Sequence, residues 1–182
     1  MAHRLDYSWL ALEYPERGKQ TYRKLIPLRG LLQKNYGKDY DCTLTSLACI
    51  FGEKYYADFE KIALKHGYDG DKNGTNPLVV RRIIQEFTRT HEIPGRAKSA
   101  YGKGIGWSWR TVKSLVSRDI PIVLNLWQDG RGYYKDHSVT VVGVEEYEKA
   151  LFLLVLDNWH DTVSLIDYKK LCVISSINWN EK

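Results

Sequence analysis

Two runs of β-branched and leucine residues in the second half of the chain restrict its fold more than any other feature of the sequence. They extend from Ser138 to Val144 and from Leu151 to Leu156, and the charged segment 145–149 between them predicts a hairpin turn. Further strands are indicated by three more apolar runs, at Ile122 to Trp127, Val163 to Ile166 and Val173 to Ile177. We therefore expect an antiparallel sheet in this half of the chain.

The first half has apolar residues at helical spacing instead. Between Cys42 and Phe51 they fall on one face of a helix that Asp41 can cap and Gly52 can end. The same reasoning predicts helices over 57–65, over 79–87 and after Ser108. Helices followed by antiparallel strands indicate an α+β fold.

The length of 182 residues fits one domain with a substantial core. We interpret 1–182 as a single domain with an N-terminal arm over 1–32, a mainly helical lobe over 33–120 and a mainly β lobe over 121–182. No apolar run approaches the roughly 18 residues of a membrane span and no signal peptide is visible, so the expected location is the cytoplasm. The 27 basic and 22 acidic residues are interspersed, so the net charge of +5 does not indicate a nucleic-acid partner. The oligomeric state is left open.

Three cysteines without a CxxC spacing predict neither a disulfide framework nor a zinc site. We expect Cys49 and Cys172, in apolar segments, to be inert core thiols. Cys42 differs because it falls in the first turn of a predicted helix, where free N–H groups and the helix dipole favour a thiolate. Position alone leaves open that Cys42 is simply a small apolar residue of the helix.

Other residues complete a catalytic pattern around Cys42. His137 directly precedes a predicted strand and is a candidate base, and Asp157 ends the strand that pairs with it, where its carboxylate is predicted to orient the imidazole. Upstream, the amide of Gln33, or of Asn35 in its place, is a candidate donor to an oxyanion together with the Cys42 N–H. His160, three residues after Asp157, is an alternative base, although its Trp-rich context favours a cleft-lining role.

At these residues the sequence resembles the papain-like cysteine peptidase superfamily, specifically the peptidases that process bacteriocin leaders at a double glycine and their bacterial relatives. The resemblance covers about 33–171 and is carried by the segments 41–48 (DCTLTSLA), 74–77 (GTNP), 136–143 (DHSVTVVG) and 157–159 (DNW). The chain departs from the family motif at Thr43 and Leu44, which replace Gly-Pro, and in a longer interval between Gln33 and Cys42.

The resemblance implies a papain-like fold, with the active cleft between the two lobes, and a thiol hydrolase of peptides or proteins. Cys42 would be the nucleophile, His137 the general base and acid, Asp157 the orienting residue and Gln33 the oxyanion donor, acting through a thioester without a cofactor. Two other functions stay open: a catalytically silent module that binds a peptide, and an acyl or amine transferase of the transglutaminase type with the same triad.

Two further segments have some features of binding sites. The loop 69–74 begins like a calcium loop, but Val80 stands where the bidentate Glu belongs, so no metal is predicted. The segment 98–110 mixes basic and aromatic residues with glycines and is interpreted as a loop over the cleft. Its Trp107 and Trp109 are therefore candidate substrate-binding residues, and so is Trp159 beside Asp157.

Overall fold

The computed structural model describes residues 7–70, 72–102, 106–129, 132–160 and 162–180. These residues form a mixed α+β structure with five α-helices and one seven-stranded antiparallel sheet. The helices are α1 (Tyr7–Glu13), α2 (Cys42–Phe51), α3 (Tyr56–Lys65), α4 (Val80–Thr90) and α5 (Trp109–Ser117). The strands are β1 (Gln20–Leu25), β2 (Arg96–Tyr101), β3 (Ile122–Gln128), β4 (Lys135–Tyr147), β5 (Leu151–Leu156), β6 (Val163–Asp167) and β7 (Cys172–Asn180). No helix in the described ranges has the length and apolarity needed to cross a membrane.

The sheet is organised around the long strand β4. The strand order is β2-β7-β3-β4-β5-β6, and β1 also pairs with β4. Along one edge of β4, residues 135–141 pair with β3 and residues 143–147 pair with β1, because β5 occupies the other edge. The register changes between Val141 and Gly143 on the β5 side, a bulge that increases the local twist.

Helices cover both faces of this sheet. On one face, α2, α3 and α4 pack on β3 and β7 through residues such as Leu47, Phe59 and Val123. On the other face, α5 packs against β4 and β1, and its Val112 belongs to the same apolar cluster as Leu124, one of the alternate residues that β3 buries on this side. Alternate residues of a strand point to opposite faces, so β3 is buried on both sides. Among the helices on the first face, α2 lies directly against the sheet and contacts β4.

Two strands were not predicted, and one turn was placed wrongly. The N-terminal arm contains β1 as well as a helix, and part of the segment predicted as a loop over the cleft is β2, which pairs with β7. The predicted turn 145–149 begins too early, because β4 continues to Tyr147. Glu145 is fully buried in this part of β4. Its carboxylate accepts hydrogen bonds from the hydroxyls of Tyr7 (2.7 Å) and Tyr147 (3.0 Å) and pairs with Arg23, and these partners make the burial of its charge tolerable.

Candidate active site

The thiol of Cys42 lies in the first turn of α2, as the sequence predicts. Asp41 occupies the N-cap position, but its carboxylate accepts hydrogen bonds from the hydroxyls of Tyr56 (2.5 Å) and Thr45 (3.3 Å) and does not cap the helix. The first N–H groups of α2 therefore lack a capping side chain, and together with the helix dipole they favour negative charge near Cys42. This environment favours a thiolate.

His137, near the start of β4, reaches the same point from the sheet. Both side chains line one cleft, and the hydrogen bonding and charge of the imidazole lower the pKa of the Cys42 thiol. This arrangement is possible because α2 packs against β4. The structure thus brings together the two residues that the sequence indicates as nucleophile and base.

The second ring nitrogen of His137 is held by the main chain. Nε2 lies 2.7 Å from the carbonyl oxygen of Asp157, and since a carbonyl can only accept, Nε2 carries a proton. In the neutral ring, Nδ1 is then the basic nitrogen and is left for the thiol. The expectation that the Asp157 carboxylate orients the imidazole is corrected here, because the main-chain carbonyl of that residue does so.

The carboxylate of Asp157 is occupied by the loop that follows β5. Its Oδ1 accepts the N–H groups of Trp159 (3.0 Å) and His160 (2.9 Å), and its Oδ2 accepts the hydroxyls of Tyr134 (2.9 Å) and Ser164 (3.3 Å). The Nδ1 of His160 also lies 3.0 Å from Oδ2, so this alternative base is held by the carboxylate. Asp157 therefore acts on His137 through the shape of the loop, which places its carbonyl, and through its charge.

Aromatic rings cover the imidazole. The ring of Trp159 stacks on His137 with centroids 4.1 Å apart, and the ring of Tyr134 lies parallel to it at 5.7 Å. Burial and the nearby Asp157 raise the pKa of the Tyr134 hydroxyl, so it remains a donor to that carboxylate. Trp159 is 40% exposed and lines the cleft, so it separates the His137–Asp157 hydrogen bond from solvent.

The electrostatics of the pair favour charge separation. Burial raises the pKa of the Cys42 thiol, but the hydrogen bond and charge of His137, with hydrogen bonds from Ser138, outweigh burial and hold it below its usual value. Burial lowers the pKa of His137, but its interactions with Cys42 and with the Asp157 carbonyl raise it above its usual value. The two opposite shifts describe one coupled thiolate–imidazolium pair. A pair of this kind can attack an acyl carbon and then protonate the leaving group.

Asn158 ties α2 to the sheet, a role that the sequence analysis did not assign. Its Nδ2 lies within 2.9 Å of three oxygens, which are the carbonyls of Cys42 and Ser138 and the hydroxyl of Ser46. Its own carbonyl accepts the N–H of Gln33 at 2.8 Å. Asn158 has a φ of +65°, which Asn adopts more readily than most residues. An Asn directly after a strand-ending Asp was the only signal in the sequence.

Gln33 lies in the cleft wall, but its side-chain amide already donates hydrogen bonds to the main chain. Its Nε2 donates to the carbonyls of Asp39 (2.5 Å) and Lys38 (3.4 Å), which are main-chain groups of the following loop. Asn35 is exposed and is not among the residues lining the cleft. Gln33 is therefore better placed than Asn35 to donate to an oxyanion. This role stays a prediction, because Nε2 would have to give up its hydrogen bond to one main-chain carbonyl in order to donate to the substrate.

The cleft is an open cavity of about 690 Å³. Three exposed aromatic side chains line it, namely Tyr40, Trp127 and Trp159. The prediction for the other two tryptophans is wrong: Trp107 is 2% exposed in the core beneath α5, and Trp109 packs edge-on against Tyr168. The structure places Trp107 and Trp109 in the cluster beneath α5, on the face of the sheet opposite α2.

The remaining thiols differ from each other. Cys49 is buried, accepts the N–H of Leu31 at 3.3 Å, and has its pKa raised to about 11 by burial. Cys172, predicted in the core, is exposed at the first residue of β7.

The calcium-like loop is a tight turn, closed by two main-chain hydrogen bonds between Asp69 and Asn73. Among the described residues, which omit Asp71, no cluster of three His, Cys, Asp or Glu side chains is placed to hold a metal ion.

Neither a family model nor a curated protein matches this chain. Its function must therefore be argued from the site itself.

Proposed function

We propose that the protein is a cysteine-dependent amide hydrolase of the papain-like type, acting on peptides or proteins. One observation carries this proposal: the Cys42 thiol, at a helix N-terminus, shares a cleft with an imidazole that lowers the pKa of the thiol and whose Nε2 is fixed by the Asp157 carbonyl. This arrangement supplies a nucleophile, a base of defined tautomer and a fixed orientation, which are the elements that acyl transfer to a thiol requires. The papain-like assignment also rests on the order of Gln33, Cys42, His137 and Asp157 along the chain.

The proposed reaction has two halves. The Cys42 thiolate attacks the amide carbon, the C–S bond forms, and the charge on the carbonyl oxygen is met by the N–H of Cys42. The Nδ1–H of His137 then protonates the amine as the C–N bond breaks, which leaves a thioester on Cys42. In the second half, Nδ1 takes a proton from water, the hydroxide attacks the thioester, and the carboxylic acid and the thiolate are released.

The shape of the cleft supports a peptide as the substrate. It is open, and its aromatic walls from three separate segments can contact apolar side chains on either side of an amide bond. Its charged lining residues include both signs, Lys72 and Lys135 with Asp39 and Asp136. This composition gives no strong preference for a highly charged ligand.

The test is the rate of alkylation of each cysteine by limiting iodoacetamide between about pH 5 and 8, read by intact mass and peptide mapping. We expect Cys42 to react first at low pH and to lose this preference in His137→Ala. His91→Ala is the matched control, because that imidazole pairs with Asp58 on the protein surface. A Cys42 that reacts no faster than Cys172, or the same preference in His137→Ala, would refute the proposal in favour of a silent binding module.

A second assay separates hydrolysis from transfer. Peptide mixtures are incubated with the wild-type protein and with Cys42→Ala, with and without a primary amine, and the products are identified by mass. We expect new carboxyl termini only with the wild-type protein. Products that carry the added amine in place of a carboxyl terminus would show an acyl transferase instead.

A further inference from the structure

A chain of buried hydroxyl and amide groups runs from the nucleophile helix across three strands. Ser138 on β4, Asn125 on β3 and Ser175 on β7 lie directly opposite one another in the sheet register. Asn125 Nδ2 lies 2.8 Å from Ser175 Oγ, and Asn125 Oδ1 lies 2.6 Å from Ser138 Oγ. The chain ends at Thr43 on α2, whose Oγ1 is 2.8 Å from Ser138 Oγ. All four side chains are at least 96% buried.

The far end of this chain fixes the direction of its hydrogen bonds. The carbonyl of Pro77 can only accept, so the Ser175 hydroxyl donates to it (3.3 Å). Ser175 Oγ then accepts from Asn125 Nδ2, which turns Asn125 Oδ1 towards Ser138. Because that oxygen can only accept, the Ser138 hydroxyl donates to Asn125, and Thr43 donates to Ser138.

Ser138 also lies near the nucleophile, Cys42. Both residues line the cleft, and one amide nitrogen, Asn158 Nδ2, lies 2.9 Å from the carbonyl oxygen of each. Hydrogen bonds from the main-chain N–H and the hydroxyl of Ser138 also help to lower the pKa of the Cys42 thiol. A hydroxyl carries a single proton, so Ser138 cannot donate fully to a thiolate and to Asn125 at the same time. The direction set by Pro77 and Ser175 therefore works against the thiolate.

We propose that Asn125 is a positioning residue that competes with the Cys42 thiolate for the hydroxyl proton of Ser138, and so limits how strongly the thiolate is stabilised. This inference rests on the proposed function, in which Cys42 acts as a thiolate. The main-chain N–H of Ser138 stays with the sulfur in either arrangement, whereas the hydroxyl proton is divided between two acceptors.

Two substitutions in this chain are then expected to have opposite effects. Ser138→Ala removes the shared proton and weakens the thiolate. Ser175→Ala removes the acceptor of Asn125 Nδ2, so that the amide is free to turn and present Nδ2 to Ser138. Ser138 then becomes an acceptor from Asn125, and its own proton is available to the sulfur. A change two strands away is therefore expected to strengthen the thiolate.

The experiment measures the pH midpoint of Cys42 alkylation in the full chain. A hydrogen bond to a charged group is strong enough for Ser138→Ala to raise the midpoint by about one pH unit. We expect Ser138→Thr, which keeps the hydroxyl, to restore the wild-type value. Ser175→Ala is expected to lower the midpoint by about 0.3 unit, or roughly two-fold more thiolate at limiting pH. Ser176→Ala is the matched control, a buried serine next in the chain that leaves these hydrogen bonds intact.

The other charged and titratable groups around the thiol are unchanged in these variants. They come from the helix start, the two neighbouring loops and β4: Asp41, Asp39, Lys72, Lys135, Asp136 and His137. Asn125→Leu provides a second measurement, because it removes the competing acceptor at similar volume and is also expected to lower the midpoint.

Shifts of the same sign in Ser138→Ala and Ser175→Ala, or a Ser175→Ala midpoint equal to that of Ser176→Ala, would overturn the inference. Failure of the proposed function gives a different result. The pH midpoint of Cys42 alkylation in the wild-type protein would then be that of an ordinary thiol and would not change in His137→Ala.

Discussion

The amide of Asn158 allows a quantitative test of how the site is held together. Asn158→Ala removes Nδ2 from three oxygens at 2.8 to 2.9 Å, which are the part-buried carbonyl of Cys42, the buried carbonyl of Ser138 and the buried hydroxyl of Ser46. Nδ2 has two hydrogens, so two hydrogen bonds are lost, each worth about 1 kcal/mol, and acceptors left without a partner add about 1 kcal/mol more. Alanine is also less stable than Asn at a φ of +65°, by about 1 kcal/mol. The expected loss of unfolding free energy is therefore about 4 kcal/mol.

Urea unfolding followed by the fluorescence of the 6 tryptophans measures this loss. With a slope near 2 to 3 kcal/mol per molar urea, the midpoint should fall by about 1 to 2 M. Asn158→Gly removes the same hydrogen bonds without the backbone cost, so its loss should be about 1 kcal/mol smaller. Asn35→Ala, in an exposed side chain, should stay within about 0.5 kcal/mol of the wild-type protein. An Asn158→Ala loss below 1 kcal/mol would refute the hydrogen-bond argument, and equal losses for Ala and Gly would refute the backbone argument.

Three further predictions concern separate parts of the molecule. Between pH 6 and 9 the folded protein should label at Cys42 and then at the exposed Cys172, while Cys49, with its pKa raised to about 11, should label only after unfolding, as peptide mapping will show. Arg23→Ala should lower the free energy of unfolding, measured in urea, by about 2 to 3 kcal/mol, because it leaves the fully buried Glu145 carboxylate without its cation. A loss no greater than that of Arg29→Ala, at an exposed position, would contradict this prediction. Trp127→Ala, which removes an exposed aromatic ring from the cleft wall, should raise KM several-fold with little change in kcat. An unchanged KM would exclude that wall from substrate binding.

The sequence was sufficient to place Cys42 and His137, the two candidate residues, because each is marked by local signals. The predicted helix start at Cys42 is observed, and β4 begins at Lys135, three residues before the predicted strand start at Ser138. It was insufficient for Asp157, because whether its carboxylate or its carbonyl reaches the imidazole depends on the turn made by Asn158. A positive φ at a non-glycine residue leaves only a weak trace in the sequence.

The strands that were missed are defined by distant partners. β1 and β2 contain mostly exposed or half-buried polar residues, so their own patterns resemble loops. They become strands because β4 and β7 offer unpaired edges. Glu145 is a similar case. Its charge can lie in a buried strand only because Tyr7 and Arg23, from the N-terminal arm, donate to its carboxylate and pair with it. These contacts join residues that are far apart in the chain, so a short stretch of sequence cannot reveal them.

The position of β7 affects the order in which the protein can form during synthesis. This strand comes last in chain order among the described strands, yet it lies inside the sheet, between β2 and β3. Ribosomes add about 5 to 20 residues per second, so Cys42 emerges roughly 5 to 20 s before His137, and the sheet that supports both is completed later still. Until then Cys42 has no imidazole beside it and has the reactivity of an ordinary thiol. The contacts that lower the pKa of the Cys42 thiol therefore form only after most of the chain has been synthesised.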